Sequence, residues 1–218
     1  MESIMGKIAE KYGAYYFDQS DTGFINQSRD SDQYSYKAFA GDIDVMLENG
    51  DSLITMSSDM QSALWLSGNI AVGYAKTKAF GAVLRGYQCG NKSVSLNQSV
   101  NLPYVNGCAT RQIFPPERIG DPTLQQLTIP PYTTEQMHHI HATTRVVYVL
   151  KGRGYSIVGQ DTNVEETELK EGMICILDPM SPHHFRTESE YLTVLPVHVF
   201  SSTANEQNHP MFNGTKEV

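Results

Sequence analysis

The 218-residue chain is 40% hydrophobic and 18% charged, with a formal charge of −8, an ordinary globular composition rather than a disordered one. An acidic surface with no basic run repels phosphate backbones and excludes nucleic acid as an expected partner. Three scattered cysteines without a Cys-x-x-Cys pair argue against a disulfide framework, and no apolar stretch has the length of a signal peptide or a membrane span, so a cytoplasmic protein with no membrane partner is expected.

Residues 2 to 12 predict a short amphipathic helix, because Ile4, Ile8 and Tyr12 recur four apart. Almost everything after it reads as strands broken by turns. The first group is Asp42–Leu47, Asp51–Met56, Ala63–Leu66 and Ile70–Tyr74, with Asn49-Gly50 and Gly68-Asn69 as punctuation. Asn101–Asp121 reads as a linker, with Asn106-Gly107, Pro115-Pro116 and Gly120-Asp121. A second group follows: Leu124–Ile129, Arg145–Leu150, Tyr155–Val158, Met173–Leu177 and Leu192–Phe200. Gly152-Arg153-Gly154 reads as a hairpin turn and not a phosphate loop, since no helix follows it. Residues 201–218 are polar and irregular, a loose tail or an arm over a neighbouring subunit. Many short strands with Gly, Asn and Pro between them predict an all-β sandwich or barrel.

The chemistry concentrates in His138-His139-Ile140-His141 and Pro182-His183. Side chains alternate faces along a strand, so His139 and His141 share one face and both reach a single ion. His183, after a strand and the turn Asp178-Pro179-Met180-Ser181-Pro182, is the natural third ligand from another strand. Imidazole serves zinc, iron, nickel and copper alike, and three protein ligands leave open positions of the kind catalytic sites keep. An isolated His-x-His pair is more often hydrogen-bonded or solvent-facing than ligating; the whole spacing argues otherwise. Ten residues separate His141 from Gly152, nineteen separate Gly152 from Gly172, and ten separate Gly172 from His183.

That spacing resembles the two signature motifs of the cupin superfamily over roughly residues 109 to 200. The first motif stands as His139, His141, Arg145 and Gly152; the second runs from Gly172 through Met173–Leu177 and the proline-bearing turn to His183. The resemblance implies a jelly-roll barrel, the double-stranded β-helix, holding one divalent metal ion on His139, His141 and His183. Two positions depart from the pattern: the family's Glu ligand is Arg145, and its turn glycine is Met180. The neutral three-histidine set is similar to thiol-dioxygenase and gentisate-type cupins, which also lack the Glu and use ferrous iron. Fe(II) is therefore the preferred metal, with Zn, Ni or Mn as alternatives.

Counting by twos from His139 gives His141, Thr143, Arg145, Val147 and Val149 on the pocket face. Guanidinium offers no lone pair to a metal, so Arg145 is read either as a catalytic-site residue that binds a substrate carboxylate or phosphate through two hydrogen bonds, or as a structural salt bridge. A third reading has the substitution abolishing metal binding. The opposite face, Ile140, Ala142, Thr144, Val146, Tyr148 and Leu150, is also largely apolar and needs cover from the N-terminal half or a second subunit.

The first half carries an echo of the second. Leu47–Gln61 aligns with Leu169–His183 without a gap, Gly50 on Gly172 and Gln61 on His183; Gly41 on Gly152 then places Ser28, Asp30 and Tyr34 at His139, His141 and Arg145. The expected organisation is an N-terminal helix plus a degenerate metal-free half over residues 1–108, a metal-binding barrel over 109–200 and a tail over 201–218; the rival is one barrel extended by N-terminal strands. His138 and His184 are expected on the face opposite the ligands, His198 is left open, and Cys108, Cys175, Tyr148 and Trp65 are read as packing. The leading functional expectation is a metal-dependent enzyme of the three-histidine Fe(II) dioxygenase type, acting on a small anionic substrate and working as a homodimer. The alternatives are a non-catalytic ligand-binding or sensory cupin and a metal-dependent isomerase or lyase.

Overall fold

The computed structural model describes residues 7–9, 12–21, 24–27, 35–67, 73–98, 102–118 and 120–199. The earlier strands are β1 (Lys7–Ala9), β2 (Ala14–Phe17), β3 (Phe24–Gln27), β4 (Tyr36–Ala40), β5 (Asp44–Leu47), β6 (Asp51–Met56), β7 (Ser62–Ser67), β8 (Gly73–Lys76), β9 (Phe80–Arg85) and β10 (Lys92–Ser95). The later strands are β11 (Leu102–Pro103), β12 (Ala109–Phe114), β13 (Thr123–Ile129), β14 (Thr144–Gln160), β15 (Asn163–Lys170), β16 (Ile174–Leu177), β17 (His183–Arg186) and β18 (Leu192–Val199). No helix among the described residues is long and apolar enough to cross a membrane.

Two large sheets share one strand order. The first runs β10-β7-β6-β9-β4-β3, and the second runs β2-β16-β14-β18-β13-β12, extended at its ends by β1 and β11. β5 and β8 form a separate pair, while β15 and β17 pair with the second half of β14. Every pairing is antiparallel, as hairpin-rich connections require.

Alternation along β14 divides the core in two. Val147 and Val149 join Leu127, Val158, Phe185 and Val194 inside the second barrel. Val146 and Tyr148 face the other way and pack with Ile54, Trp65, Phe80 and Leu84 of the first sheet. The N-terminal half is therefore the cover that the apolar outer face of β14 demands. Phe80 stacks on Tyr148 at 4.6 Å and Trp65 tilts against Phe114 at 5.4 Å. Side chains of this size each contribute about 1.5–3 kcal/mol on leaving water, so the two sheets hold one another. Trp65 and Tyr148 are core residues, as their sequence contexts suggest.

Four expectations need correction. Lys7–Ala9, inside the expected helix, is a strand paired with β2 in the register Ala9↔Ala14; the rest of that helix lies outside the described residues, except Tyr12 in the turn. A spacing of four keeps residues on one face of a strand as well as of a helix, and the edge of β16 decides the matter by pairing with β2. The expected linker contains β12, which pairs with β13. Gly152-Arg153-Gly154 is no hairpin turn: β14 runs straight through it, and the turn comes at Asp161-Thr162. Gly152 instead lets one strand leave the first partner set, β16 and β18, and enter the second, β15 and β17.

The internal repeat also has a different register. Aligning β6 with β16 would require β6 to pair with β4, as β16 pairs with β14; β6 pairs instead with β7 and β9. The shared strand order puts β6 on β14, β7 on β16 and β9 on β18. The expected tail, residues 201–218, lies outside the described residues.

Candidate metal centre

The three histidines come from two segments that meet through the backbone. His139 and His183 form an isolated antiparallel bridge, exchanging N–H···O bonds of 3.0 and 2.9 Å. Met180 takes the left-handed φ of 63° where the family pattern has glycine, a conformation that costs an ordinary residue about 1–2 kcal/mol. Its N–H donates to the carbonyl of His141 at 2.7 Å, tying the turn before His183 to the second histidine.

Each ring has one nitrogen aimed at the others. The Nδ1 of His139 lies 2.9 Å from the Met137 carbonyl, and that of His183 lies 2.7 Å from the Ser181 carbonyl. A carbonyl only accepts, so both Nδ1 atoms carry the proton and both Nε2 atoms present a lone pair. The Nε2 atoms of His139, His141 and His183 are buried and have no hydrogen-bond partner. One nitrogen of each ring lies within 4.8 Å of the other two, near the separation of about 4 Å that two metal–nitrogen bonds of about 2.0–2.1 Å allow. Burial lowers all three proton affinities, and the Arg145 charge adds to the effect. His141 is held at about 3 and His183 at about 2. Three neutral imidazoles, with the inward lone pair fixed on His139 and His183 by their Nδ1 hydrogen bonds, suit a divalent cation and leave it room for further ligands.

Arg145 faces inward, as the count by twos predicts, opposite His198 in the register of β14 and β18. Both line a cavity of about 300 Å³ with Glu135, Tyr104 and Gln125. Burial lowers Arg145 to about 10, against the pull of Glu135; it still keeps its proton at neutral pH. His198, which the sequence left open, is 8% exposed and is held at about 3 by burial and by Arg145. It also lies close enough to His141 to weaken that ring's basicity. None of the three histidines lines this cavity; Arg145 and His198 line it and act electrostatically on His141. Burial raises Glu135, and the Arg145 charge and a hydrogen bond from the Phe185 backbone oppose the rise.

Glu135 is the residue that the sequence reading missed. Running the count by twos backwards from His139 reaches it, but the same count passes through Met137, which is 87% exposed, so the segment is not a regular strand. His138 and His184 stand on the other side of the bridge, as expected, with their Nδ1 atoms 2.8 Å apart. Cys108 and Cys175 are buried, and burial raises both thiols, to about 11 and about 12.

The N-terminal half holds no comparable histidine group among its described residues. Asp51 pairs with Arg85 across β6 and β9, and Val45 with Ala75 across β5 and β8. Val45, Leu47 and Ala75 pack together in a small apolar core. Arg85 forms a two-pronged ion pair with Glu48 at 3.0 and 3.1 Å and lies 3.9 Å from Asp51.

A comparison with protein families matches residues 125–198 to the cupin domain. No curated protein matches the sequence. Among solved structures, a Pseudomonas aeruginosa protein described as glyoxylate-induced superposes with a TM-score of 0.58 at 12% identity, over 91% of this chain and 92% of that one. A cupin 2 conserved barrel domain protein from Leptotrichia buccalis gives 0.52 at 14% identity, over 90% and 92%. The protein Ylba from E. coli gives 0.51 at 11% identity, over 87% and 93%. At these identities the likeness concerns the fold. The sequence motifs, the barrel and the matched domain agree: residues 125–198 are a cupin domain, and the chain as a whole shares the fold of cupin barrel proteins.

Proposed function

We propose that the chain is a metal-dependent cupin enzyme acting on a small anionic substrate, with Fe(II) chemistry of the dioxygenase type. The observation that carries this reading is the convergence of three unpartnered, buried Nε2 atoms close to a half-buried arginine that lines a cavity. Bound there, iron would supply redox chemistry with dioxygen and open coordination positions; Zn, Ni and Mn are the alternatives. Arg145 orients the substrate's acidic group through two parallel hydrogen bonds, which its planar guanidinium suits better than an ammonium would. The apolar lower barrel, with Val147, Val149 and Phe185, keeps water from beneath the site. The metal-free part that braces the metal-binding barrel is β3–β10, since β1, β2 and β11, expected in the same half, pair into the second sheet. A homodimer belongs to the same proposal, and light scattering of the purified chain tests it.

Oxygen uptake tests the enzyme reading. The Fe(II)-loaded chain is given a panel of thiol carboxylates and aromatic acids, with a His139→Ala variant as control. Uptake above the control by at least one compound is expected. No uptake by any compound removes the dioxygenase reading; binding of a compound without turnover moves the chain to the ligand-binding class.

A further inference from the structure

Glu135 is a buried acid for which the site described so far has no use. It is 3% exposed and lines the cavity beside Arg145. Its backbone N–H donates to the Phe185 carbonyl at 2.9 Å, which pins its segment to β17. The Phe185 backbone supplies its carboxylate with a hydrogen bond, yet Oε2 is buried and has no partner. Arg145 is in a matching position: its Nε is also buried and unpartnered. Two opposite charges thus share one cavity, and neither saturates the other. Each unpaired buried group carries a desolvation cost, which a ligand of the right chemistry would relieve.

We propose that the ligand of this cavity is amino-acid-like, placing its carboxylate on Arg145 and donating from its ammonium group to Oε2 of Glu135. The proposal rests on the reading of this cavity as a substrate site and names the substrate class. A simple carboxylate satisfies Arg145 but leaves Oε2 buried beside a second negative charge. A simple amine satisfies Glu135 but sets a cation beside Arg145. A molecule carrying both groups pairs both atoms and adds no net charge. The volume of about 300 Å³ is at the small end for ligand sites and limits the ligand to a short carbon frame. Glu135 is in this account a specificity-determining residue, not a ligand to the metal.

Calorimetric titration of the zinc-loaded full chain with propionate, L-alanine and β-alanine tests this. At least one amino acid is expected to bind about tenfold or more tightly than propionate, the worth of one hydrogen bond to a charged group. Glu135→Gln, which keeps the shape and removes the charge, should abolish that preference by weakening the amino acids and leaving propionate unchanged. Arg145→Gln should weaken all three. Equal affinities in the wild type overturn the proposal, as does a failure of all three to bind. Loss of zinc from Glu135→Gln, seen by elemental analysis, also overturns it by assigning the carboxylate to the ion. A wild type that shows the amino-acid preference but holds no metal overturns the enzyme reading instead, so the two failures can be told apart.

Discussion

Gly152 and Gly172 look alike in sequence, each the glycine of one histidine motif, yet alanine at the two positions should have very different effects. Both take left-handed backbone, φ +85° and φ +88°, which costs a residue with a Cβ about 1–2 kcal/mol. At Gly172 that is the whole cost, because a Cβ would meet nothing within 4 Å. At Gly152 the Cβ would stand 2.0 Å from the Tyr191 carbonyl oxygen and 3.0 Å from its carbon. These are backbone atoms of a fixed edge: Arg153 N–H donates to the same oxygen at 3.1 Å, and Gly152 pairs with Leu192 in β18. Relief requires moving β18 away from β14, which disrupts the sheet that carries Arg145 and His198. The total for Gly152→Ala should exceed about 4 kcal/mol, a loss reached by few substitutions, against a whole stability of about 5–15 kcal/mol. Urea unfolding followed by the fluorescence of the single Trp65, fully buried between the two sheets, measures both variants. Gly172→Ala should lose about 1–2 kcal/mol, and Gly152→Ala should be largely unfolded or insoluble. A Gly152→Ala protein as stable as Gly172→Ala would refute the argument.

Two further outcomes are expected. A metal ion at 100 times its dissociation constant should add about 2.7 kcal/mol to stability, raising the melting temperature by roughly 5–11 °C for a chain of this size; His183→Ala should abolish the rise, and an equal rise in both proteins contradicts the site. The metal-free protein should lose stability as pH falls. Burial holds folded His198 at about 3 against about 6.5 when unfolded, so the unfolded chain binds more protons in between. This contribution is complete above about pH 6.5 and drains away toward pH 3. Urea midpoints at pH 7.5, 6 and 5 should fall in that order, and less steeply for His198→Gln; a midpoint that stays level or rises on acidification contradicts the assignment.

The second barrel was legible because its signals are local. The alternation in Val146–Val149 fixed which residues face the cavity, and the motif spacing brought His139 and His183 together before their backbone bridge was visible. Pairings between distant segments were not legible. Nothing in Ala14–Phe17 announces that it adds to β16, so the residues around it read equally well as a helix. The repeat went out of register because a glycine, a turn and a strand recur throughout β proteins, and only the pairing of β6 with β9 shows which copy corresponds. Glu135 was hidden because its segment is not a regular strand: it touches β17 through the bridges Thr134↔Arg186 and His139↔His183, and no period runs through the residues between.

The central claim is that His139, His141 and His183 hold one metal ion, and the most direct measurement is elemental analysis with X-ray absorption on the chain purified without a histidine tag. The account expects about one transition metal per chain, with three imidazole nitrogens at about 2.0–2.1 Å, and its loss from a folded His139→Ala variant. A wild type that takes up no metal, or a variant that keeps the same metal in the same surroundings, would contradict it.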